Sequence, residues 1–109
     1  MRVLDIKRQM RPDDIQVVAD LLRDADRADG HRPLSDHLWL DLVDGGREGF
    51  AGLVAWEKGH DHPVAYAQVS KGHDSYSIEL VIHPHHRYEM HLIGPELLSA
   101  ALDEVSRNG

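Results

Sequence analysis

A change in the spacing of apolar residues is the feature that most restricts the fold of this chain. Between Pro12 and Val43 the apolar residues recur every three or four positions, a spacing that predicts helices. From Gly49 onward they gather instead in strand-length runs that are rich in β-branched and aromatic residues. Both patterns occur within 109 residues, so the sequence predicts one α+β domain.

The first part of the chain predicts a short strand and two helices. Residues 3–6 are typical of a strand, and the segment after them begins a helix with a proline and two aspartates. We expect this helix from Pro12 to Ala28, ended by Gly30, and a second helix that Ser35 caps and that runs through Val43. Apolar side chains at helical spacing are Ile15, Val18, Leu22, Ala25, Leu38, Leu42 and, less regularly, Trp39.

The second part of the chain predicts a three-stranded antiparallel meander and a last helix. The strand-length runs are Phe50–Trp56, Val64–Ser70 and Tyr76–His83. Glycine, aspartate and proline in the connections 58–63 and 71–74 favour hairpins, with Ile78, Leu80 and Ile82 on one face of the sheet. The last helix is expected from Pro95 to about Arg107. Its expected apolar stripe is Leu98, Ala101, Leu102 and Val105. Some other α+β sandwich would also fit this order of elements, and that alternative remains open.

Charge and composition exclude several classes of function. A formal net charge of −7 repels nucleic-acid phosphates and anionic lipids, so neither nucleic acid nor membrane is expected as a partner. No apolar run approaches the length of a membrane span and residues 1–10 lack a signal-like core, so a cytoplasmic location is expected. The absence of cysteine excludes disulfides and a cysteine-ligated zinc site.

The chain resembles a known protein family through the segment Ile78–Arg87. An apolar strand there ends in a His-Pro step, and an arginine follows it. This pattern is similar to the fourth strand and next loop of the GNAT superfamily of N-acetyltransferases, and Gly94 with residues 97–102 is similar to the helix after that loop. Within the superfamily the chain most resembles the N-terminal domain of the mycothiol synthases, through residues 28–35 and 63–69.

The resemblance implies transfer of an acetyl group from acetyl-coenzyme A to a small primary amine. Glu79 would take a proton from the amine and Tyr88 would protonate the departing thiolate. Residues implied to contact acetyl-coenzyme A are Leu80, Val81, Ile82, Arg87, His91, Leu92, Ile93 and Gly94. Structural alternatives remain open: a solvent-facing or cross-strand carboxylate for Glu79, a packing or surface role for Tyr88, and a surface salt bridge for Arg87.

The segment after Arg87 departs from the family pattern. The family places two small residues, mostly glycines, where the loop feeds a helix, so that backbone N–H groups can approach the coenzyme diphosphate. Here the residues after Arg87 are Tyr88, Glu89, Met90, His91 and Leu92, and neither glycine is in place. Alignment on Gly94 lengthens the loop by about two residues, and Pro95 removes a donor. We therefore expect weaker coenzyme binding than in the family, or none.

The resemblance also implies that residues 1–109 are a single GNAT-like domain, the N-terminal portion of the fold without its last strands. The remainder of a longer chain, or a homodimer partner, would then complete the sheet. An alternative function is a non-catalytic, degenerate GNAT domain that supports or regulates an active partner domain.

A third interpretation concerns the nine histidines of the chain. Imidazole is a common ligand of transition metals, and His83, His85, His86 and His91 lie close together in sequence. Their spacing matches no standard metal site, so we expect a solvated histidine-rich loop and no metal. His60, His62 and His73 are expected to be turn residues.

Overall fold

The computed structural model describes residues 2–108, which form a four-stranded antiparallel sheet with helices on both faces. The four strands follow one another across the sheet in chain order, which confirms the α+β fold and the predicted order of elements. No helix within residues 2–108 has the length and apolar character needed to cross a membrane. The elements are β1 Arg2–Lys7, α1 Pro12–Asp29, α2 Asp36–Val43, β2 Ala51–Glu57, β3 Ala65–Lys71, β4 Tyr76–Ile82, a 3₁₀ helix Pro84–Glu89 and α3 Met90–Asn108.

The ends of α1 follow from local sequence chemistry. Pro12 occupies the first turn, where its missing N–H costs no helical hydrogen bond, and the Asp14 carboxylate accepts the N–H of Arg11 at 3.0 Å. At the other end Gly30 adopts a left-handed φ of 76° and donates its N–H to the carbonyl of Asp26. The predicted start and stop of this helix are therefore confirmed to within one residue.

Helices α1 and α2 cover one face of the sheet. The core on this face joins Val18, Leu21, Leu22, Ala25, Leu38 and Leu42 to Phe50, Val54, Tyr66 and Val81. It also contains a buried polar chain along β3, in which the Tyr66 hydroxyl donates to Gln68 Oε1 at 2.8 Å. The Gln68 amide in turn donates to the carbonyl of Leu38 in α2 and to Ser70 Oγ. Each of these buried groups has a partner, and the hydrogen bond from Gln68 to Leu38 links β3 to α2. This row of hydrogen-bonded side chains therefore fixes how α2 lies on the sheet. Trp39 is 36% exposed and lies outside this core.

Helix α3 covers the opposite face. Ala65, Ala67 and Val69 of β3 are fully buried there, and Ile78, Leu80 and Ile82 of β4 pack on the same core, as predicted. The small alanine side chains leave room for a helix to pack closely on the middle of the sheet.

The start and the buried stripe of α3 differ from the prediction. The helix begins at Met90, five residues before Pro95, so the proline lies inside the helix and not in its first turn. The earlier start brings Ile93 into register with Leu97 and Ala101, and these three residues are fully buried. Leu98 and Leu102, which were expected on the apolar stripe, are 42% and 51% exposed. Burial of Ile93 thus stabilises a helical start that includes an interior proline.

The 3₁₀ helix between β4 and α3 replaces the expected solvated loop. Within it His86 is only 3% exposed, and His83, which precedes it, is also buried. His83 Nε2 contacts Asp24 Oδ2 of α1 at 3.1 Å, and His83 Nδ1 accepts the N–H of His85 at 3.1 Å. The segment is therefore attached to α1 and is not a free loop.

We predict that Tyr66→Phe destabilises the protein by about 1–3 kcal/mol, because it removes the hydroxyl donor and leaves the buried Gln68 carbonyl oxygen unpaired. The free energy of unfolding in urea measures the change. Tyr76→Phe removes the same atom from a half-buried tyrosine that makes no described hydrogen bond, so it should change stability by less than about 0.5 kcal/mol. Equal effects of the two substitutions would contradict the role assigned to the polar chain.

We also predict that stability falls as pH drops below about 6.5. Burial lowers the pKa of His83 and of His86 from the ordinary 6.5, although the hydrogen bond to Asp24 opposes this for His83. Below that value the unfolded chain takes up protons at these two side chains that the folded chain resists, so the free energy of unfolding decreases. As pH falls, this loss of stability should begin at a higher pH than any loss from protonation of Asp29. The hydrogen bond from Arg87 holds the pKa of the Asp29 carboxyl below 3.8.

Urea unfolding in the presence of EDTA, at about pH 7.5 and about pH 5.5, measures this dependence. His86→Asn should reduce the decline, whereas His73→Ala, at an exposed turn, should leave it unchanged. A free energy of unfolding that is constant across this range would contradict the prediction.

Candidate cofactor site at the junction of β4 and α3

The outer edge of β4 is open, since no strand within residues 2–108 pairs with it. The His83 N–H donates to the Val64 carbonyl at 2.9 Å, and antiparallel pairing alternates along a strand. The backbone polar groups of Val81 therefore point toward β3, whereas those of Leu80 and Ile82 point toward the open edge. Three residues of β4 were predicted to contact acetyl-coenzyme A. Leu80 and Ile82 present backbone groups at the open edge, and Val81 does not.

Arg87 makes two parallel hydrogen bonds to a carboxylate of α1. Its Nη1 and Nη2 donate to Oδ1 and Oδ2 of Asp29 at 2.5 and 2.6 Å, and its Nε donates to the Ile82 carbonyl at 3.3 Å. This pair raises the pKa of Arg87 and lowers the pKa of Asp29. The predicted phosphate ligand is therefore engaged within the protein, in the salt bridge considered as its alternative.

The start of α3 has no glycine-rich loop before it. The 3₁₀ helix continues directly into α3, with Glu89 as the residue immediately before the helix. Among the predicted contacts at this start, His91 and Leu92 are exposed, whereas Ile93 is buried in the core. A Cβ built at Gly94 would meet no atom within 4 Å, so packing within the described residues does not require glycine there. The carboxylate of Glu89 suits the start of α3, because the helix dipole is positive at that end.

The two predicted catalytic residues lie on different elements. Glu79 is half-buried on the sheet face that α1 and α2 cover, where its Oε1 accepts the backbone N–H of Ser35 at 3.0 Å. Ser35 occupies the cap position of α2 as predicted, although its side chain makes no capping hydrogen bond. Tyr88 is 72% exposed in the 3₁₀ helix beyond the end of β4. No hydrogen bond within residues 2–108 joins Tyr88 to Glu79, and their catalytic roles remain predictions.

A cluster of imidazoles lies beside this junction. His60 and His62 of the β2–β3 turn meet His86 of the 3₁₀ helix, with ligand-capable atoms of all three within 4.8 Å of one another. His62 Nε2 is 3.2 Å from His86 Nε2, and the other ring nitrogen of His62 is 3.3 Å from Asp61 Oδ1.

The sequence alone predicts these histidines in two unrelated segments, a turn and a solvated loop. The available signal was the repeated close spacing of histidines at 60–62 and 83–86, together with antiparallel pairing that brings the β2–β3 turn to the end of β4.

Comparison with known proteins identifies a relative by sequence. A mycothiol acetyltransferase of Acidimicrobium ferrooxidans is 35% identical over 85 residues, which are 77% of this chain and 27% of that protein. The chain thus spans about a quarter of the length of this relative. No protein-family model matches the chain.

Solved structures share the fold. The ribosomal-protein-S18-alanine N-acetyltransferase from Escherichia coli superposes with a TM-score of 0.68 at 14% identity, over 100% of this chain and 62% of that chain. An acetyltransferase of the GNAT family from Staphylococcus aureus Mu50 gives a TM-score of 0.69 at 11% identity, over 96% and 67% of the two chains. With the sequence match and the shared fold taken together, this chain belongs to the GNAT superfamily of acetyltransferases.

Proposed function

We propose that this chain is a non-catalytic GNAT domain that supports an acetyltransferase and does not itself bind acetyl-coenzyme A productively. The observation on which the proposal depends is the Arg87–Asp29 pair. A guanidinium that makes two hydrogen bonds to a carboxylate can contact a phosphate only after that pair is broken, and breaking it leaves Asp29 without its partner.

Electrostatics at the start of α3 support the same proposal. A coenzyme diphosphate is drawn to a helix N-terminus by free N–H groups and by the positive end of the helix dipole. Here Glu89 precedes the helix, so a second anion at this point would meet a carboxylate, and the chain as a whole carries −7.

The open edge of β4 favours the role of a domain that assists a partner acetyltransferase. The outward backbone groups of Leu80, together with the outward N–H of Ile82, can pair with a strand of another domain or another chain. The relative from Acidimicrobium ferrooxidans is a mycothiol acetyltransferase of which this chain spans 27%, so most of that protein has no counterpart in the present chain. We infer that the partner is an acetyltransferase domain, supplied by a longer chain or by a second copy.

A second candidate function is acetyl transfer from acetyl-coenzyme A to a small primary amine. The open backbone groups of Leu80 favour it, because an extended ligand could pair with them as a strand would. Glu79 would act as the base in that reaction, after release of its hydrogen bond to Ser35.

We predict that the chain shows no saturable heat when titrated calorimetrically with acetyl-coenzyme A up to about 1 mM, a limit that corresponds to about −4 kcal/mol. Asp29→Asn removes the charge that holds Arg87, so this variant should bind measurably more tightly than the unchanged chain. Asp26→Asn makes the same change of charge at an exposed position on the same helix and should bind no better than the unchanged chain.

One outcome would contradict the non-catalytic role itself, and another would contradict only the Arg87–Asp29 pair as its cause. Binding of acetyl-coenzyme A to the unchanged chain with a dissociation constant below about 100 μM, or acetyl transfer by that chain alone, would refute the non-catalytic role. No difference between Asp29→Asn and Asp26→Asn would instead show that the Arg87–Asp29 pair is not what prevents binding.

A further inference from the structure

We propose that His60, His62 and His86 form a binding site for one divalent transition-metal ion such as Zn²⁺. The three imidazoles come from two segments, the β2–β3 turn and the 3₁₀ helix after β4, and their ligand-capable atoms lie within 4.8 Å of one another. The inference does not depend on acetyl-coenzyme A binding or on the proposed supporting role.

The spacing of the ring nitrogens suits a tetrahedral ion. Two imidazole nitrogens that bind one Zn²⁺ at about 2.0–2.1 Å lie about 3.3–3.4 Å apart. The observed distance between His62 Nε2 and His86 Nε2 is 3.2 Å. His60 is exposed, and its ring centroid lies 4.7 Å from that of His86, so a small rotation of its side chain brings a third nitrogen to the ion. Water can supply the fourth ligand.

Hydrogen bonds around the cluster favour this choice of ligands. Asp61 Oδ1 lies 3.3 Å from His62 Nδ1, and a proton held there leaves the lone pair on Nε2, where it faces His86. Carboxylates commonly orient metal-binding histidines in this way. His83 packs on His62 with ring centroids 4.7 Å apart, but both of its nitrogens are already engaged, by Asp24 and by the N–H of His85. His83 therefore supports the cluster and does not bind the ion.

His86 is not satisfied by the hydrogen bonds of the protein. Its Nδ1 is buried and has no hydrogen-bond partner within residues 2–108. Nε2 is the atom that faces His62, so Nδ1 is not the ligand atom and would carry the ring proton when Nε2 binds the ion. A buried imidazole in contact with two more exposed imidazoles differs from a solvated group of surface histidines, in which each ring nitrogen is hydrated.

The consequence of metal binding would be a cross-link between segments 24 residues apart, because His62 and His86 would share one ion. The ion would fix the 3₁₀ helix, and with it the start of α3, to the β2–β3 turn. A site of three neutral imidazoles and water leaves the double charge of the ion uncompensated, and the net charge of −7 favours such a cation.

The test is titration of the untagged, EDTA-treated chain with Zn²⁺ against a chromophoric chelator, with Co²⁺ as a spectroscopic substitute. We expect one ion per chain with a dissociation constant of about 1 μM or lower, and the visible absorption of tetrahedral Co²⁺. His62→Ala should weaken binding by about tenfold or more, and Asp61→Asn by a smaller factor.

His73→Ala is the matched control, because this histidine lies in the β3–β4 turn, at the opposite end of the sheet from the cluster, with a fully exposed side chain. It should leave the affinity unchanged. Since His86 is buried, His86→Ala is interpreted only if circular dichroism shows a folded chain; otherwise His60→Ala and His62→Ala decide. Absence of binding at about 100 μM Zn²⁺, or equal weakening by His73→Ala and His62→Ala, would overturn the proposal. Neither result would affect the coenzyme titration.

Discussion

Burial of β3 on both faces is the constraint on which the rest of the structure depends. One face carries the hydrogen-bonded chain of Tyr66, Gln68 and Ser70 under α2, and the other carries small apolar residues under α3. A strand shift of one residue would exchange the two faces, placing polar groups against α3 and alanines against α2. The polar chain thus fixes the register of β3, which in turn positions β4 and the segment that follows it.

Regular elements could be predicted from the sequence because their signals are local. The start of α1 follows from Pro12 and the aspartates after it, and the end from Gly30, so both were found. The start of α3 could not be found in this way, because Pro95 is a strong local signal for a first turn. Burial of Ile93 with Leu97 against the sheet outweighs that signal, and this is a tertiary effect that periodicity alone does not reveal.

The candidate site was less predictable than the fold, because its properties depend on pairs of residues far apart in sequence. The sequence marks Arg87 as a possible phosphate ligand, but only the structure brings it against Asp29, 58 residues away. His62 and His86 are likewise ordinary turn and loop residues until antiparallel pairing brings them to one end of the sheet. Residue type indicated the chemistry available, and the partner of each side chain decided how that chemistry is used.

The 3₁₀ helix gives these separate contacts a common consequence. It is attached to α1 through Arg87 and through His83, the residue immediately before it, and it meets the β2–β3 turn through His86. In a segment that must admit a nucleotide, such cross-links would oppose the close approach that a flexible glycine-rich loop permits. The same cross-links rigidify the junction of β4 and α3, and a rigid junction keeps the open edge of β4 in a constant position. That property suits a surface for pairing with another domain better than a surface for binding and releasing a cofactor.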